Sequence, residues 1–230
     1  MKRLGILGGM GPAATAEFYR RLVEQTPASC DQAHIPVIVW ADPTVPDRSA
    51  SLINRDDLPW AKLKQGILGL KDAGCDHIVI PCNTAHFWYD RMNKLGVPIT
   101  HIVDSVAEEL KSMNVHSGTI GILGTKATMS LGLYQHYLGG KGWSCVTPST
   151  HEMDKYVQPA IELIKSNDIE AARELLMNAI ENLMKWGVSA VVLGCTELPL
   201  AVKETHYKNI PLINSIDSLV KVAIKEFDRP

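Results

Sequence analysis

Short, unbroken apolar runs recur along the chain, and each ends in glycine or in small polar residues. Leu4–Leu7 runs into Gly8-Gly-Met-Gly-Pro12, Pro36–Ala41 into Asp42, Ile78–Ile80 into Pro81-Cys82-Asn83-Thr84, Thr119–Leu123 into Gly124-Thr125, and Ala190–Leu193 into Gly194-Cys195-Thr196. Apolar runs without alternation read as strands buried on both faces. Between them lie helical patterns, as in residues 58–73, where Leu63, Ile67, Leu68 and Leu70 are apolar and Gly74 supplies the stop. The same reading predicts helices from Pro12 to about Gln25, over 84–95, from Lys126 to about Leu138, over 152–165, over 169–186 with Asp168 as N-cap, and at the end to about Phe227. Residues 97–103, 144–147 and 211–213 complete the strands. Alternation of strand and helix implies parallel sheets built from right-handed βαβ units, so the class is α/β with doubly wound sheets.

The pattern is written twice. Gly74 precedes Cys82 by 8 residues and Gly187 precedes Cys195 by 8, while Pro98 and Pro211 each follow their cysteine by 16. Asp104-Ser105 and Asp217-Ser218 share the offset of 113 (217 − 104), and Gly5-Ile-Leu-Gly8 returns as Gly121-Ile-Leu-Gly124 at 116. Two copies of a unit of about a hundred residues, in the range of a small domain, account for these matches. The expected division is residues 1–100 with 211–230 as one domain and 101–210 as the other. No low-complexity linker separates them.

Composition narrows the partners. A content of 46% hydrophobic and 21% charged residues provides for a core, and a net charge of −2 without a long like-charge run gives no reason to expect nucleic acid or an anionic membrane surface. A small soluble ligand is the expected partner. No apolar run approaches the roughly 20 residues of a membrane span, and the start does not read as a signal peptide, so the expected location is the cytoplasm. Five cysteines without CxxC spacing point away from a disulfide framework or a zinc site. Cys75 and Cys145 read as small buried hydrophobes and Cys30 as a loop residue. Cys82 and Cys195 differ because they occupy equivalent strand ends.

Several loops invite a ligand. Gly8-Gly-Met-Gly-Pro12 opens a helix whose free N–H groups favour an anion. It also satisfies G-x-G-x-x-A at Gly9, Gly11 and Ala14, but Asp42 lies about thirty residues beyond Gly11 where a dinucleotide site needs about twenty. Lys126 follows a glycine without the full phosphate-loop pattern. Arg48, in a loop with two prolines, is either a carboxylate-binding fork or a solvated surface arginine. Lys165 reads as a cation complementing a helix end. A pair of cysteines at matching strand ends suits removal of a proton from a carbon beside a carboxylate and its return on the opposite face. A thiol has a pKa of about 8.5, lowered where a helix N-terminus follows. Asn83, Thr84 and Thr196 can hold the substrate carboxylate and the charge that develops on it.

On Gly8-Gly-Met-Gly-Pro12, Pro46-Asp-Arg48-Ser, Pro81-Cys-Asn-Thr-Ala-His86 and Gly194-Cys-Thr-Glu-Leu-Pro199, in that order, the chain resembles the cofactor-independent aspartate/glutamate racemases over nearly its whole length. The resemblance implies two pseudo-symmetric α/β domains with the active site in the cleft between them, the final helix returning to the first domain. It implies a racemase that uses neither metal nor pyridoxal phosphate, commonly a homodimer, with Cys82 and Cys195 as catalytic acid and base. It further implies Arg48 and Lys165 for the side-chain carboxylate, and Met10, Asn83, Thr84, Thr125 and Thr196 as residues lining the cleft. Dedicated glutamate racemases tend to carry Asp-Ser in the first loop and a histidine two residues after the second cysteine; Met10-Gly11 and Glu197 stand there instead, which favours aspartate or a broader acidic range. The alternatives are a sibling racemase or isomerase acting on glutamate, another amino acid or another carboxylic acid, and a non-enzymatic amino-acid-binding module.

Overall fold

The computed structural model describes residues 2–227 and divides the chain into two compact units. The first takes in the chain up to Ser105 together with the segment from Ile216 onward; the second is Val106–Ser215. The borders fall a few residues beyond the expected 100 and 210.

The first unit is built from β1 (Leu4–Gly8), α1 (Pro12–Gln25), β2 (Val37–Ala41), α2 (Arg48–Asn54), α3 (Leu58–Asp72) and β3 (His77–Val79). The chain continues through a 3-10 turn at Thr84–Trp88 into α4 (Tyr89–Met92), and then reaches α5 (Ile102–Ser112). Its sheet is parallel in the order β2-β1-β3, with Ile6 opposite both Val39 and Val79. A single bridge from Ile78 to Ile99 adds the fourth position. The expected strand over 97–103 is therefore one bridge long, because Pro98 offers no N–H and the His101 carbonyl already accepts from Asp104 and Ser105 to start α5.

The second unit repeats the order. It contains β4 (Gly118–Leu123), α6 (Lys126–Ser130), α7 (Leu133–Gly139), β5 (Trp143–Val146), α8 (Thr150–Glu152), α9 (Gln158–Lys165), α10 (Ile169–Met184), β6 (Ala190–Leu193), α11 (Leu198–Ala201), β7 (His206–Tyr207) and β8 (Ile210–Asn214). The sheet runs β5-β4-β6-β8, parallel, with β7 antiparallel at the edge. Because β8 pairs with β6, Leu212 opposite Val191, residues 211–214 belong to this unit rather than to the first. The last helix, α12 (Ser215–Phe227), belongs to the first unit from Ile216, while α5 passes into the second after Ser105.

Four stretches depart from the sequence reading. Residues 84–95, read as one helix, form α4 flanked on both sides by 3-10 turns. Residues 126–138 form two helices because Gly132 adopts φ +70° between them. Residues 152–165 are interrupted by a π turn at Met153–Val157, just ahead of Pro159, whose ring would clash with the Lys155 carbonyl of a regular helix. The stretch read as a stiff loop around Arg48 is α2, started by Asp47, whose carboxylate accepts from the Ala50 N–H at 2.7 Å.

Close approach governs the strand ends. A side chain on Gly8 would stand 2.2 Å from Thr15 Cγ2, and Gly9, at φ +90°, would drive its Cβ to 2.4 Å from the Asp42 carbonyl carbon. Thr15 closes the loop, accepting from the Gly9 N–H and donating to the Gly11 carbonyl, both at 2.9 Å. After β3, His86 closes the turn in the same way, its Nδ1–H donating to the Cys82 carbonyl at 2.9 Å. His86 is buried, and burial pushes its pKa down to about 4, so the ring is neutral.

Two outcomes follow from these contacts. Gly9→Ala should destabilise the protein by about 2–3 kcal/mol in urea unfolding, because both the positive φ and the main-chain clash oppose a side chain; Gly139→Ala, where a Cβ meets nothing within 4 Å, should change stability by less than about 0.5 kcal/mol. His86 has a folded pKa below its unfolded value of about 6.5, so the unfolded chain binds the extra proton first and stability falls as pH drops from 6.5 toward 4. Between pH 7 and pH 4.5 this removes about 2–3 kcal/mol. His86→Asn should flatten that slope in unfolding curves at the two pH values, leaving a smaller one from His77, which burial shifts the same way.

Candidate active site

In the first unit the polar residues singled out by sequence gather where β3 ends. Cys82 is buried in the same apolar cluster as Met10, Leu7, Val45, Ala85 and Trp88. Its N–H donates to the Ile80 carbonyl at 2.8 Å, which folds the chain over directly after the strand. Asn83 precedes the 3-10 turn and Thr84 opens it, both buried. Arg48, the first residue of α2, is half-buried; its Nη1 donates to the Val45 and Pro46 carbonyls at 3.2 Å each. Its Nε is buried without a hydrogen-bond partner. Two carbonyls hold the guanidinium by one edge and leave a donor unspent.

The second unit presents the counterpart at the ends of β4 and β6. Gly194 donates to the Leu123 carbonyl at 2.7 Å, and a side chain there would come within 2.7 Å of Tyr134 Cε2. A Cβ on Gly124 would lie 3.0 Å from the Gly194 carbonyl oxygen. Glycine at both strand ends is what brings the turn at Thr125 beside the turn at Cys195. Thr125 caps α6, accepting from the Thr128 N–H at 3.2 Å and exchanging a hydroxyl hydrogen bond with Thr128 at 2.9 Å. Cys195 and Thr196 are buried, and the Cys195 carbonyl accepts from the Leu198 N–H to begin α11. Tyr134 lies beneath them; burial first, and the neighbouring Cys195 second, push its phenol far up, so it stays protonated.

Lys165 is the last residue of α9 and is exposed, on the helix that packs against α11. Asp42, weighed as a ribose ligand, is engaged within its own loop by the Thr44 N–H at 2.8 Å, the Thr44 hydroxyl at 2.6 Å and Lys62 at 3.1 Å. Lys126 pairs with Asp154 at 2.6 Å. Among the described residues no group of three or more His, Cys, Asp and Glu is arranged to hold a metal ion, and no helix is long and apolar enough to cross a membrane.

Two residues enter that sequence reasoning did not assign. His86 fixes the Cys82 carbonyl, and its signal was its place at the close of the Pro81–His86 motif. Glu197 is buried, and the Cys195 Sγ lies 2.9 Å from its Oε2. Its signal was position, two residues past the second cysteine.

Comparison with known proteins bears on the whole chain. The Asp/Glu/Hydantoin racemase family matches residues 7–223. The broad specificity amino-acid racemase RacX of Bacillus subtilis is 28% identical over 233 residues, covering 97% of each chain. The structure of an aspartate racemase from Picrophilus torridus aligns over 100% of this chain and 96% of its own, with a TM-score of 0.86 and 32% identity. A glutamate racemase from Francisella tularensis, solved in complex with D-glutamate, shares the fold at a TM-score of 0.71 and 15% identity over 99% of this chain and 81% of its own. With two parallel-sheet units, each carrying a cysteine in the turn after a strand, the chain belongs to the Asp/Glu/Hydantoin racemase family and is an isomerase.

Proposed function

We propose that the protein interconverts L- and D-aspartate by proton transfer at Cα between Cys82 and Cys195, without pyridoxal phosphate or metal. The observation that carries this reading is the equivalence of the two cysteines, each in the turn after a buried parallel strand and each 8 residues beyond a glycine. One thiolate takes the α-proton, the electron pair moves into the substrate carboxylate, and the opposite thiol delivers a proton to the other face of the carbon. Each cysteine is base for one enantiomer and acid for the other. The α-proton is weakly acidic, so most of the barrier must fall through positioning and hydrogen bonds aimed at the carboxylate. Asn83, Thr84 and Thr196 are assigned to that carboxylate, with Thr125 and Met10 shaping the space around it.

Arg48 is assigned to the side-chain carboxylate, and its buried Nε without a partner supports the role. Lys165 is assigned as a second cation for the same group. The enzyme is taken to work as a homodimer in the cytoplasm. A second reading, a wider range of amino acids, is favoured by the likeness to a broad specificity racemase from Bacillus subtilis.

Reduced protein incubated with L-aspartate in D2O, without added cofactor, should yield D-aspartate carrying one α-deuteron; no product and no deuterium uptake would refute the assignment of substrate. Cys82→Ala and Cys195→Ala should each lower racemisation by at least about 10³-fold. Arg48→Ala should lower kcat/KM for aspartate on the order of 10²-fold while leaving any turnover of neutral amino acids within a few fold. Equal losses on both substrate classes would remove Arg48 from side-chain recognition.

A further inference from the structure

We propose that Glu197 is a positioning residue that accepts the hydrogen bond of the Cys195 thiol and keeps this cysteine proton-loaded in the resting enzyme. The inference rests on the two-cysteine reading above for its role in turnover, and on the site's own geometry for the bond. Cys195 Sγ stands 2.9 Å from Glu197 Oε2, and the Thr196 hydroxyl lies 3.4 Å from the same oxygen. All three residues are buried. In this contact the thiol is the donor and the carboxylate oxygen the acceptor. A buried carboxylate needs such donors, and the turn places two of them on one oxygen.

The elements packed around this turn in the same unit bring few competing charges. Tyr134 on α7 stays protonated, and Arg173 on α10 is committed to Glu204 and the Ala201 carbonyl. On α9, Glu162 accepts from Gln158, and Lys165 stands exposed at the helix end. Glu197 brings a carboxylate into direct contact with the thiol. The hydrogen bond fixes the side-chain rotation of Cys195, which sets where the proton is delivered. As Cys195 gives that proton to Cα, its S–H bond breaks, the C–H bond forms and the electron pair stays on sulfur. The thiolate then faces a carboxylate, and like charge at this range raises its basicity for the return transfer.

The test is titration of 13Cβ-labelled cysteine by NMR, with Cys82→Ser and Cys195→Ser variants assigning the signals. Glu197→Gln should lower the Cys195 midpoint by about one pH unit or more and leave the Cys82 midpoint in place, with the corresponding limb of the racemisation pH profile moving by the same amount. A folded Glu197→Gln protein whose Cys195 midpoint is unchanged, or which loses turnover with an unmoved pH profile, overturns the proposal. A second measurement needs no Glu197 variant: the wild-type S–H stretch, identified by its loss in Cys195→Ser, should lie at the lowered frequency of a thiol donating to a carboxylate, and the frequency of an unbonded thiol overturns the assignment. Neither thiol measurement requires turnover. A protein that shows the shift but exchanges no α-proton with any amino acid would refute the racemase reading and the role of Glu197 in turnover, leaving the hydrogen bond itself in place.

Discussion

Both units depend on main chain meeting main chain at the carboxyl ends of parallel strands. Where β1 meets the start of the Asp42 loop, and where β4 meets β6, no side chain fits between the backbones, as the contacts at Gly9, Gly124 and Gly194 make plain. With that space closed, the next residues have to turn sharply, and the side chains carried by those turns are held to one position. Thr15 and the hydroxyl pair Thr125 and Thr128 then tie the loops down with short hydrogen bonds. A side chain so mounted is held in place by the scaffold beneath it.

The two turns carry their cysteines on different electrostatic supports. At Cys82 an imidazole that burial holds neutral contacts the backbone carbonyl. At Cys195 a carboxylate contacts the sulfur itself. The repeat in the sequence is therefore a repeat of backbone and of cysteine position, while His86 in one turn and Glu197 in the other have no counterpart across the repeat.

Much of this was legible in the chain. Unbroken apolar runs gave the strands, β6 at the residues expected, although β2 is half-exposed rather than buried on both faces; Asp168 proved to be the N-cap it resembled, accepting from the Ala171 N–H. The duplicated glycine and proline spacings located the paired turns because those residues answer to backbone geometry, which repeats with the fold. What stayed hidden depended on contacts between segments. Two prolines around Arg48 suggested an irregular loop, and the Asp47 cap that starts α2 carries a weaker signal than they do. The single bridge at Ile99 in place of a strand reflects a competition for carbonyls that hydrophobicity does not register. Glu197 showed only as an unusual residue near a cysteine, since its burial and its contact with sulfur belong to the folded turn alone.

The passage of α5 into the second unit and the return of α12 to the first bear on how such a chain is made. Asp217 on α12 accepts from Arg21 at 2.5 Å and from Gln25 at 3.0 Å, closing contacts across 196 and 192 residues. As the polypeptide emerges from the ribosome, the first unit waits for nearly the entire chain before its last helix can dock, while the second is contiguous and has all its residues earlier. Contacts of such long reach slow the folding search. A split between residues 105 and 106 would separate the first unit from a helix that completes it, so the two repeats visible in the sequence do not correspond to pieces that can be cut apart.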